Sequence, residues 1–375
     1  MKSLYIHIPY CRKKCVYCDF FSYRLKDESE LTVYIDHLIK ELSFYKSIKF
    51  KTIYIGGGTP SIISQVDCLR LFKKIGEIYD LDSCIEYTLE LNPESASADK
   101  LDIWLENGVN RVSVGVQSFN DRVLAAMNRS GRQSDIVSVV GALKERGVKN
   151  YNIDLILGIQ DKGTFISDLK MAAGIDPPHI SIYFLGIADG KPLSEMIRLN
   201  KFRVMDDEEY EELYMYTGDY LSEKGYQRYE ISNYAKAGYR SIHNLNYWEG
   251  GDYIGAGLSA VSTVDSWRKR NVRDLEKYCR MVENGEKPVA DIEHISPEKR
   301  CYEKIMLALR TTKGIELREL FDIAAVDVQK ELTLFIDLLE KNGYGAASSV
   351  HLALSTKGFL HSNSIITELW RIFED

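Results

Sequence analysis

The chain has 375 residues, 45% of them hydrophobic, with a formal net charge of −7 and a pI near 5.7. This length and composition suffice for a large first domain and a smaller second one, while the negative charge excludes a general basic surface for nucleic acid or anionic lipid. No apolar run approaches a membrane span, and the first, at residues 4–10, is too short for a signal peptide. We therefore expect a cytoplasmic protein whose partners are small molecules or proteins, not nucleic acid.

Six short segments rich in β-branched and aromatic residues predict strands. They lie at residues 4–8, 52–55, 85–91, 111–116, 151–157 and 179–185. Segments with helical spacing separate them, so the order of elements is strand, helix, strand. Repeated units of this kind with nearly continuous apolar strands predict an α/β fold with a parallel sheet, and six of them indicate a partial (β/α)6 barrel. In such folds the chemistry lies on the loops that follow the strands.

The pattern of elements divides the chain into three predicted regions. Residues 1–205 form the partial barrel, and residues 206–290 form an aromatic, glycine-bearing region that flanks it. Residues 291–375 combine several helical segments with one alternating segment at residues 351–354. This last region is predicted to be a small winged-helix-like α+β domain.

Three of the seven cysteines are crowded into eight positions, at Cys11, Cys15 and Cys18. An odd total and this crowding favour metal or redox chemistry over disulfides. Three thiolates can hold a [4Fe–4S] cubane and leave one iron open, where the amino and carboxylate groups of S-adenosylmethionine (SAM) can bind. The alternative is zinc, which usually takes four ligands, so that His7 or Asp19 would have to complete the set.

Glycine-rich and acidic residues follow the other predicted strands. The run at residues 56–61 has three glycines, which allow close approach of a ligand to backbone amide and carbonyl groups. Glu90 and Asp154 stand at or near the ends of the third and fifth strands in apolar surroundings. We interpret the two carboxylates as ligands for ribose hydroxyls or a cationic group. The alternatives are an ordinary turn and two structural acids.

Together these residues resemble the motifs of the oxygen-independent coproporphyrinogen III oxidase family of radical SAM proteins, over nearly the whole chain. The similar segments are residues 5–18, 56–61, 90–94, 115–119 and 152–156. The resemblance implies cluster ligation by the three cysteines and use of an electron donor such as a flavodoxin or ferredoxin. It also implies SAM contacts by Tyr5, Gly57, Gly58, Thr59, Glu90, Gln117, Arg129 and Asp154.

Two features distinguish branches of that family. The oxidases carry a further cysteine where Phe20 stands here, which weighs against oxidative decarboxylation. Residues 229–235, followed by His243, Tyr247 and Trp248, are similar to the heme chaperones, which hand heme to respiratory proteins. This similarity implies that His243 ligates heme iron and that the two aromatic rings contact the macrocycle. On residue chemistry alone, the favoured alternative is a histidine that is hydrogen-bonded in a turn and aromatics that pack internally.

Three segments depart from the family pattern and leave the cargo or substrate open. Residues 188–191 lack the usual acidic residue and threonine, and histidines are replaced by Leu258 or Ser259 and by Gly131.

The favoured function is a heme chaperone that binds a cluster and SAM and loads a respiratory acceptor, with a homodimer as one option. The second is an enzyme acting on a tetrapyrrole by decarboxylation, methyl transfer or anaerobic heme degradation. The third, a zinc-containing nucleic-acid-binding regulator, is disfavoured because residues 328–339 offer only Lys330 as a cation.

Overall fold

The structure, a computed structural model, describes residues 2–323 and 328–374, and these form two compact units. The first unit contains the chain up to Met205 together with Ser241–His243 and Asp252–His294. The second contains Asp206–Arg240, Asn244–Gly251 and the chain from Ile295 onward. One division falls after Met205, and the three predicted regions stay a prediction. The region predicted at residues 206–290 is divided between the two units, because most of its later half extends the sheet of the first.

Six parallel strands form the centre of the first unit, in chain order. They are β1 (Ser3–Ile8), β2 (Thr52–Gly57), β3 (Glu86–Leu91), β4 (Arg111–Gln117), β5 (Tyr151–Leu157) and β6 (His179–Phe184). Each strand pairs with the next. The helices of this part are α1 (Glu28–Leu42), α2 (Gln65–Ile78), α3 (Ala98–Glu106), α4 (Asp121–Ala126), α5 (Gln133–Glu145), α6 (Lys162–Ile175) and α7 (Pro192–Arg198). The predicted α/β class and order of strands and helices are confirmed.

A further parallel strand, β7 (Tyr253–Ala256), lies on the other side of β1 and was not predicted. Ser3 lies opposite Tyr253, and Ile6 lies opposite Ala256. Three antiparallel strands then continue the sheet: β8 (Val261–Val264), β9 (Trp267–Asn271) and β10 (Val289–His294). The helix Leu275–Glu283 connects the last two. The strand that precedes the cysteines therefore has a hydrogen-bonded neighbour on each side.

The two faces of the central sheet differ in polarity. In β4, the valines at positions 112, 114 and 116 alternate with Arg111, Ser113 and Gly115, and all six are buried. Successive residues of a strand point to opposite faces, so the valines form one apolar face. Ser113 and Gly115 face the cavity described below. The interior face of the sheet is thus polar, and its buried groups require hydrogen-bond partners within the protein.

The second unit ends in the order of elements that is typical of a winged helix. Its helices include most of Ile242–Trp248 and the helices Asp207–Glu223, Pro297–Ala308, Leu317–Ile323, Gln329–Lys341, Thr356–Leu360 and Ser362–Glu374. Strands Ile315–Glu316, Gly345–Ala347 and His351–Leu354 form a three-stranded antiparallel sheet with the last of them in the centre. A short antiparallel pair, Gln227–Arg228 and Asn233–Ala235, precedes this part. Among the described residues of both units, no helix is long and apolar enough to cross a membrane.

Candidate functional site

A cavity of about 440 Å³ lies at the carboxyl ends of the central strands. Five successive strands each contribute to its wall, through Tyr54, Glu90, Ser113, Asp154 and Tyr183. The predicted residues that line it are Cys11, Cys15, Cys18, Gly57, Gly58, Thr59, Glu90, Gln117, Arg129 and Asp154. A concave site of this size can enclose a large part of a small ligand. The structure therefore brings together the three cysteines and every predicted SAM-contacting residue except Tyr5.

The three cysteines lie on a loop that is held at both ends. The short strands Tyr10–Cys11 and Tyr23–Arg24 pair in parallel at its base. Between Cys15 and Cys18, the amide of Val16 donates to the carbonyl of Met127 (3.2 Å), and the carbonyl of Val16 accepts from the amide of Leu193 (3.1 Å). We call residues 11–18 the cluster loop. These backbone bonds fix its path along the cavity wall.

The cysteine thiols form a donor set that fits an iron–sulfur cluster. None of the three is in a disulfide, and burial raises the pKa of the Cys11 and Cys18 thiols, so they stay neutral until a metal displaces their protons. Arg129 Nη1 lies 4.0 Å from Cys15 Sγ and supplies positive charge. Within residues 2–323 and 328–374, no three His, Cys, Asp or Glu side chains are arranged to hold one metal ion. In a cubane each cysteine binds a different iron, so the thiols need not converge on one point.

The glycine run at the end of β2 packs directly against β1 and against Tyr10, which immediately precedes the cluster loop. Gly57 has a φ of +114°, and a Cβ there would lie 2.5 Å from His7 Nδ1. A Cβ at Gly58 would lie 2.5 Å from the carbonyl oxygen of Tyr10. The amide of Thr59 donates to that same oxygen (2.8 Å). Only glycine allows this approach, so residues 57–59 expose backbone at the cavity wall beside the cysteines.

Two partly buried carboxylates lie on the strand walls of the cavity. Glu90 accepts hydrogen bonds from Tyr54 Oη (2.6 Å) and from the amide of Gly57 (3.2 Å), and Asp154 accepts one from Ser113 Oγ (2.9 Å). Burial raises the pKa of both carboxyls, that of Glu90 to about 7. Both line the cavity and can therefore accept hydrogen bonds from the hydroxyl or ammonium groups of a ligand.

Gln117 and Arg129 approach the cavity from the end of β4 and the loop after α4. The pairing of β4 with β5 shifts register between Gly115 and Gln117, and Gln117 has a φ of +66°. Strained backbone of this kind is common where a side chain is aimed at a site. Arg129 Nη2 donates to the carbonyl of Gly115 (2.6 Å) and to Asn92 Oδ1 (3.0 Å). Arg129 and Cys15 also line an adjoining cavity of about 390 Å³.

Tyr5 lies outside the cavity lining. Its hydroxyl is joined to His7 Nδ1 (2.9 Å), and His7 Nε2 is joined to the carbonyl of Phe21 (2.9 Å). These bonds link β1 to the segment just after the cluster loop. Contact between Tyr5 and SAM stays a prediction.

His243 is fully buried in the first unit. Its Nδ1 is hydrogen-bonded to Thr52 Oγ1 (2.8 Å), and burial lowers its pKa to about 3. Tyr247 and Trp248 belong to the second unit, where each is partly buried. This geometry favours the structural alternative for His243, because an imidazole with no exposed surface offers no nitrogen to an external iron. Heme ligation by these three residues stays a prediction.

Several lining residues were not identified from the sequence. Tyr54 and Ser113 support the two carboxylates, and Tyr183, Phe184 and Leu185 form an apolar wall where β6 ends. Side chains two positions apart in a strand point to the same face, so the alternation places Tyr54 on the same face of β2 as Gly56. An aromatic residue in an apolar strand does not by itself indicate which face it occupies.

The sequence is similar to proteins of known family over almost its full length. The sequence model of the Radical SAM superfamily matches residues 5–164. The heme chaperone HemW of Lactococcus lactis subsp. lactis (strain IL1403) is 30% identical over 369 residues, covering 97% of this chain and 96% of that protein. HemW of Bacillus subtilis (strain 168) is 30% identical over 97% of this chain and 93% of its own. HemW of Escherichia coli (strain K12) is 37% identical over 268 residues, 70% of each protein.

A solved structure shows the same fold. Coproporphyrinogen III oxidase HemN from Escherichia coli, described as a radical SAM enzyme, superposes with a TM-score of 0.83 at 22% identity. The match covers 98% of this chain and 89% of HemN. The chain therefore belongs to the HemN-like radical SAM family, in the branch that contains the HemW proteins.

Proposed function

We propose that Cys11, Cys15 and Cys18 hold a [4Fe–4S] cluster and that the adjoining cavity binds SAM. The observation that carries this proposal is the presence of three thiols outside any disulfide, a glycine loop and two partly buried carboxylates on the walls of one cavity. When bound, the cluster would supply an open iron for the amino and carboxylate groups of SAM and an electron for its sulfonium.

The side chains of the cavity have distinct roles in this proposal. Glu90, which accepts a hydrogen bond from the amide of Gly57 beside the cluster loop, also accepts a hydrogen bond from the amino group of SAM. Asp154, two strands further along the sheet, accepts hydrogen bonds from the ribose hydroxyls. The exposed backbone of residues 57–59 binds the amino acid moiety, and Arg129 keeps Asn92 and the end of β4 in place.

We further propose that the protein carries heme to an acceptor protein. The support is similarity over almost the full length of both chains to proteins described as heme chaperones. The apolar wall of Tyr183, Phe184 and Leu185 gives the cavity a surface that suits a flat macrocycle. An electron donor such as a flavodoxin or ferredoxin, a respiratory acceptor and a homodimer are part of this proposal.

Anaerobic reconstitution followed by iron, sulfide, SAM and heme titration on one sample tests both proposals. We expect about four irons and four sulfides per chain. Cys15→Ala should lose the cluster, whereas Cys84→Ala, a cysteine outside the cluster loop, should keep it. A tetrahedral zinc ion in the wild type, with no iron or sulfide after loading, would refute the cluster. Absence of saturable heme binding would refute heme carriage.

A second candidate function is a radical SAM enzyme acting on a tetrapyrrole. The observation in its favour is that the cavity combines the carboxylate wall with the apolar wall where β6 ends. Incubation of the reconstituted protein with reductant, SAM and a panel of porphyrins should then give 5′-deoxyadenosine in a substrate-dependent manner. A yield no higher than in the substrate-free reaction, across the panel, would argue against this candidate and for a carrier.

A further inference from the structure

The segment Ser241–His243 is anchored at the end of the sheet opposite to the cavity. Glu86, the first residue of β3, is buried and accepts three hydrogen bonds from it: from Ser241 Oγ (3.2 Å), from the amide of Ile242 (2.7 Å) and from the amide of His243 (3.0 Å). A carboxylate bound by three donors of one segment fixes that segment closely. The backbone position of His243 is therefore set by the sheet.

A second contact orients the imidazole. Thr52 Oγ1 donates its hydrogen to Ser3 Oγ (2.7 Å), so the hydrogen bond between Thr52 and His243 (2.8 Å) is donated by Nδ1 of the imidazole. Both Ser3 and Thr52 are fully buried at the beginning of their strands. The ring plane of His243 is thus fixed by a strand hydroxyl and does not depend on a ligand.

The oriented imidazole packs on Tyr54. The centroids of the two rings are 5.0 Å apart, with 34° between their planes, and the ring of Tyr5 lies 6.2 Å away from that of Tyr54. Tyr54 has only two side-chain torsions, so these neighbouring rings determine where its hydroxyl points. That hydroxyl donates to Glu90 Oε1 at 2.6 Å. A continuous set of contacts therefore joins His243 to the cavity wall.

We infer that His243 is a positioning residue for SAM binding, acting through Tyr54 on the carboxylate of Glu90. The inference rests on the proposed binding of SAM and gives His243 a role other than heme ligation. If the imidazole is removed, Tyr54 loses the surface that orients it, and Glu90 keeps only the longer bond from the amide of Gly57 (3.2 Å) as a fixed donor. The loss of one charge-assisted hydrogen bond predicts SAM binding about 3- to 10-fold weaker.

A double-mutant cycle with His243→Asn and Tyr54→Phe tests this inference. Asparagine keeps a donor near the position of Nδ1 and removes the part of the ring that faces Tyr54. SAM dissociation constants and heme affinity are measured on anaerobically reconstituted protein. We expect H243N to weaken SAM binding, to have no further effect when Tyr54 is already Phe, and to leave heme affinity unchanged. Equal SAM affinity in H243N and wild type, full additivity with Y54F, or loss of heme affinity would each overturn the inference.

Two further measurements separate positioning from a general loss of structure. The hydrogen bond from Tyr54 lowers the pKa of Glu90, so H243N should shift the pH midpoint of SAM binding upward, which a merely less stable protein would not do. If H243N does not fold, Thr52→Val removes the acceptor of the imidazole while keeping the ring, and it should weaken SAM binding in the same direction. A wild type without SAM affinity would refute the proposed function. If the wild type binds SAM and both T52V and H243N bind it equally well, only this inference is refuted.

Discussion

The raised pKa of Glu90 predicts that SAM binding depends on pH. Burial raises this pKa from 4.5 to about 7, and the ionised carboxylate is the form that accepts a strong hydrogen bond from the amino group of SAM. With a pKa of about 7, roughly a tenth of the carboxyls are ionised at pH 6 and nine tenths at pH 8. Affinity in the wild type should therefore rise about tenfold from pH 6 to pH 8, equivalent to about 1.4 kcal/mol.

The control is Glu90→Gln, which keeps the shape of the side chain and cannot titrate. SAM dissociation constants are measured for both proteins between pH 6 and pH 8 by anaerobic equilibrium dialysis. The ratio of the two constants removes any titration of SAM itself or of the cysteines, because both proteins share these groups. We expect E90Q to bind more weakly at every pH and to lack the rise. If the two pH profiles are parallel, Glu90 does not titrate in this range and the assigned contact with the amino group is wrong.

Three other changes should affect folding or cluster assembly. Gly58→Ala places a Cβ 2.5 Å from the carbonyl oxygen of Tyr10, directly before the cluster loop, so iron uptake on reconstitution and the melting temperature should both fall. Gly141→Ala is the control and should keep both, because its new Cβ meets nothing within 4 Å beyond its chain neighbours and its own helix backbone. Arg129→Met leaves the buried carbonyl of Gly115 without the hydrogen bond from Arg129. The free energy of unfolding in urea should fall by about 1–3 kcal/mol, and less cluster should be bound. Unchanged values of both would exclude a supporting role for Arg129. Burial lowers the pKa of His243 from 6.5 to about 3, so its contribution to stability is present above pH 6.5 and is lost as the pH falls toward 3. The wild type should therefore lose about 2 kcal/mol of its free energy of unfolding between pH 7 and pH 5. H243N should not show this loss in urea titrations at the same two pH values.

The sequence was sufficient to predict the six central strands because their apolar runs are local signals. β7 was missed for a physical reason: it has only four residues, includes Gly255, and is stabilised by pairing with β1 far away in the chain. Short strands of this kind have weak intrinsic preferences and depend on their neighbours. The division of residues 206–290 between two units follows from the same long-range pairing.

Most of the candidate site could also be predicted, because carboxylates and glycines are unusual at the ends of apolar strands. Glu90 and Asp154 do line one cavity with the cysteines. The sequence did not reveal that Tyr54 supports Glu90, because this hydrogen bond joins two strands across 36 positions of the chain. It also could not decide between two roles for His243, since burial is a property of the folded sheet. Its contact with Thr52 joins residues that are 191 positions apart.

The position of β1 between β2 and β7 has a consequence for biosynthesis. A growing chain makes β1 and the cysteines that follow it before β7, so β1 lacks its partner Tyr253–Ala256 until that later segment has emerged. Until then one edge of β1, with its unpaired amide and carbonyl groups, is open to pairing with other chains. Gly257, which follows β7, also lies against the carbonyl of His7. A nascent chain is thus exposed to aggregation at the very strand that precedes its cysteines, and the loop gains its full support only when the last part of the first unit has emerged.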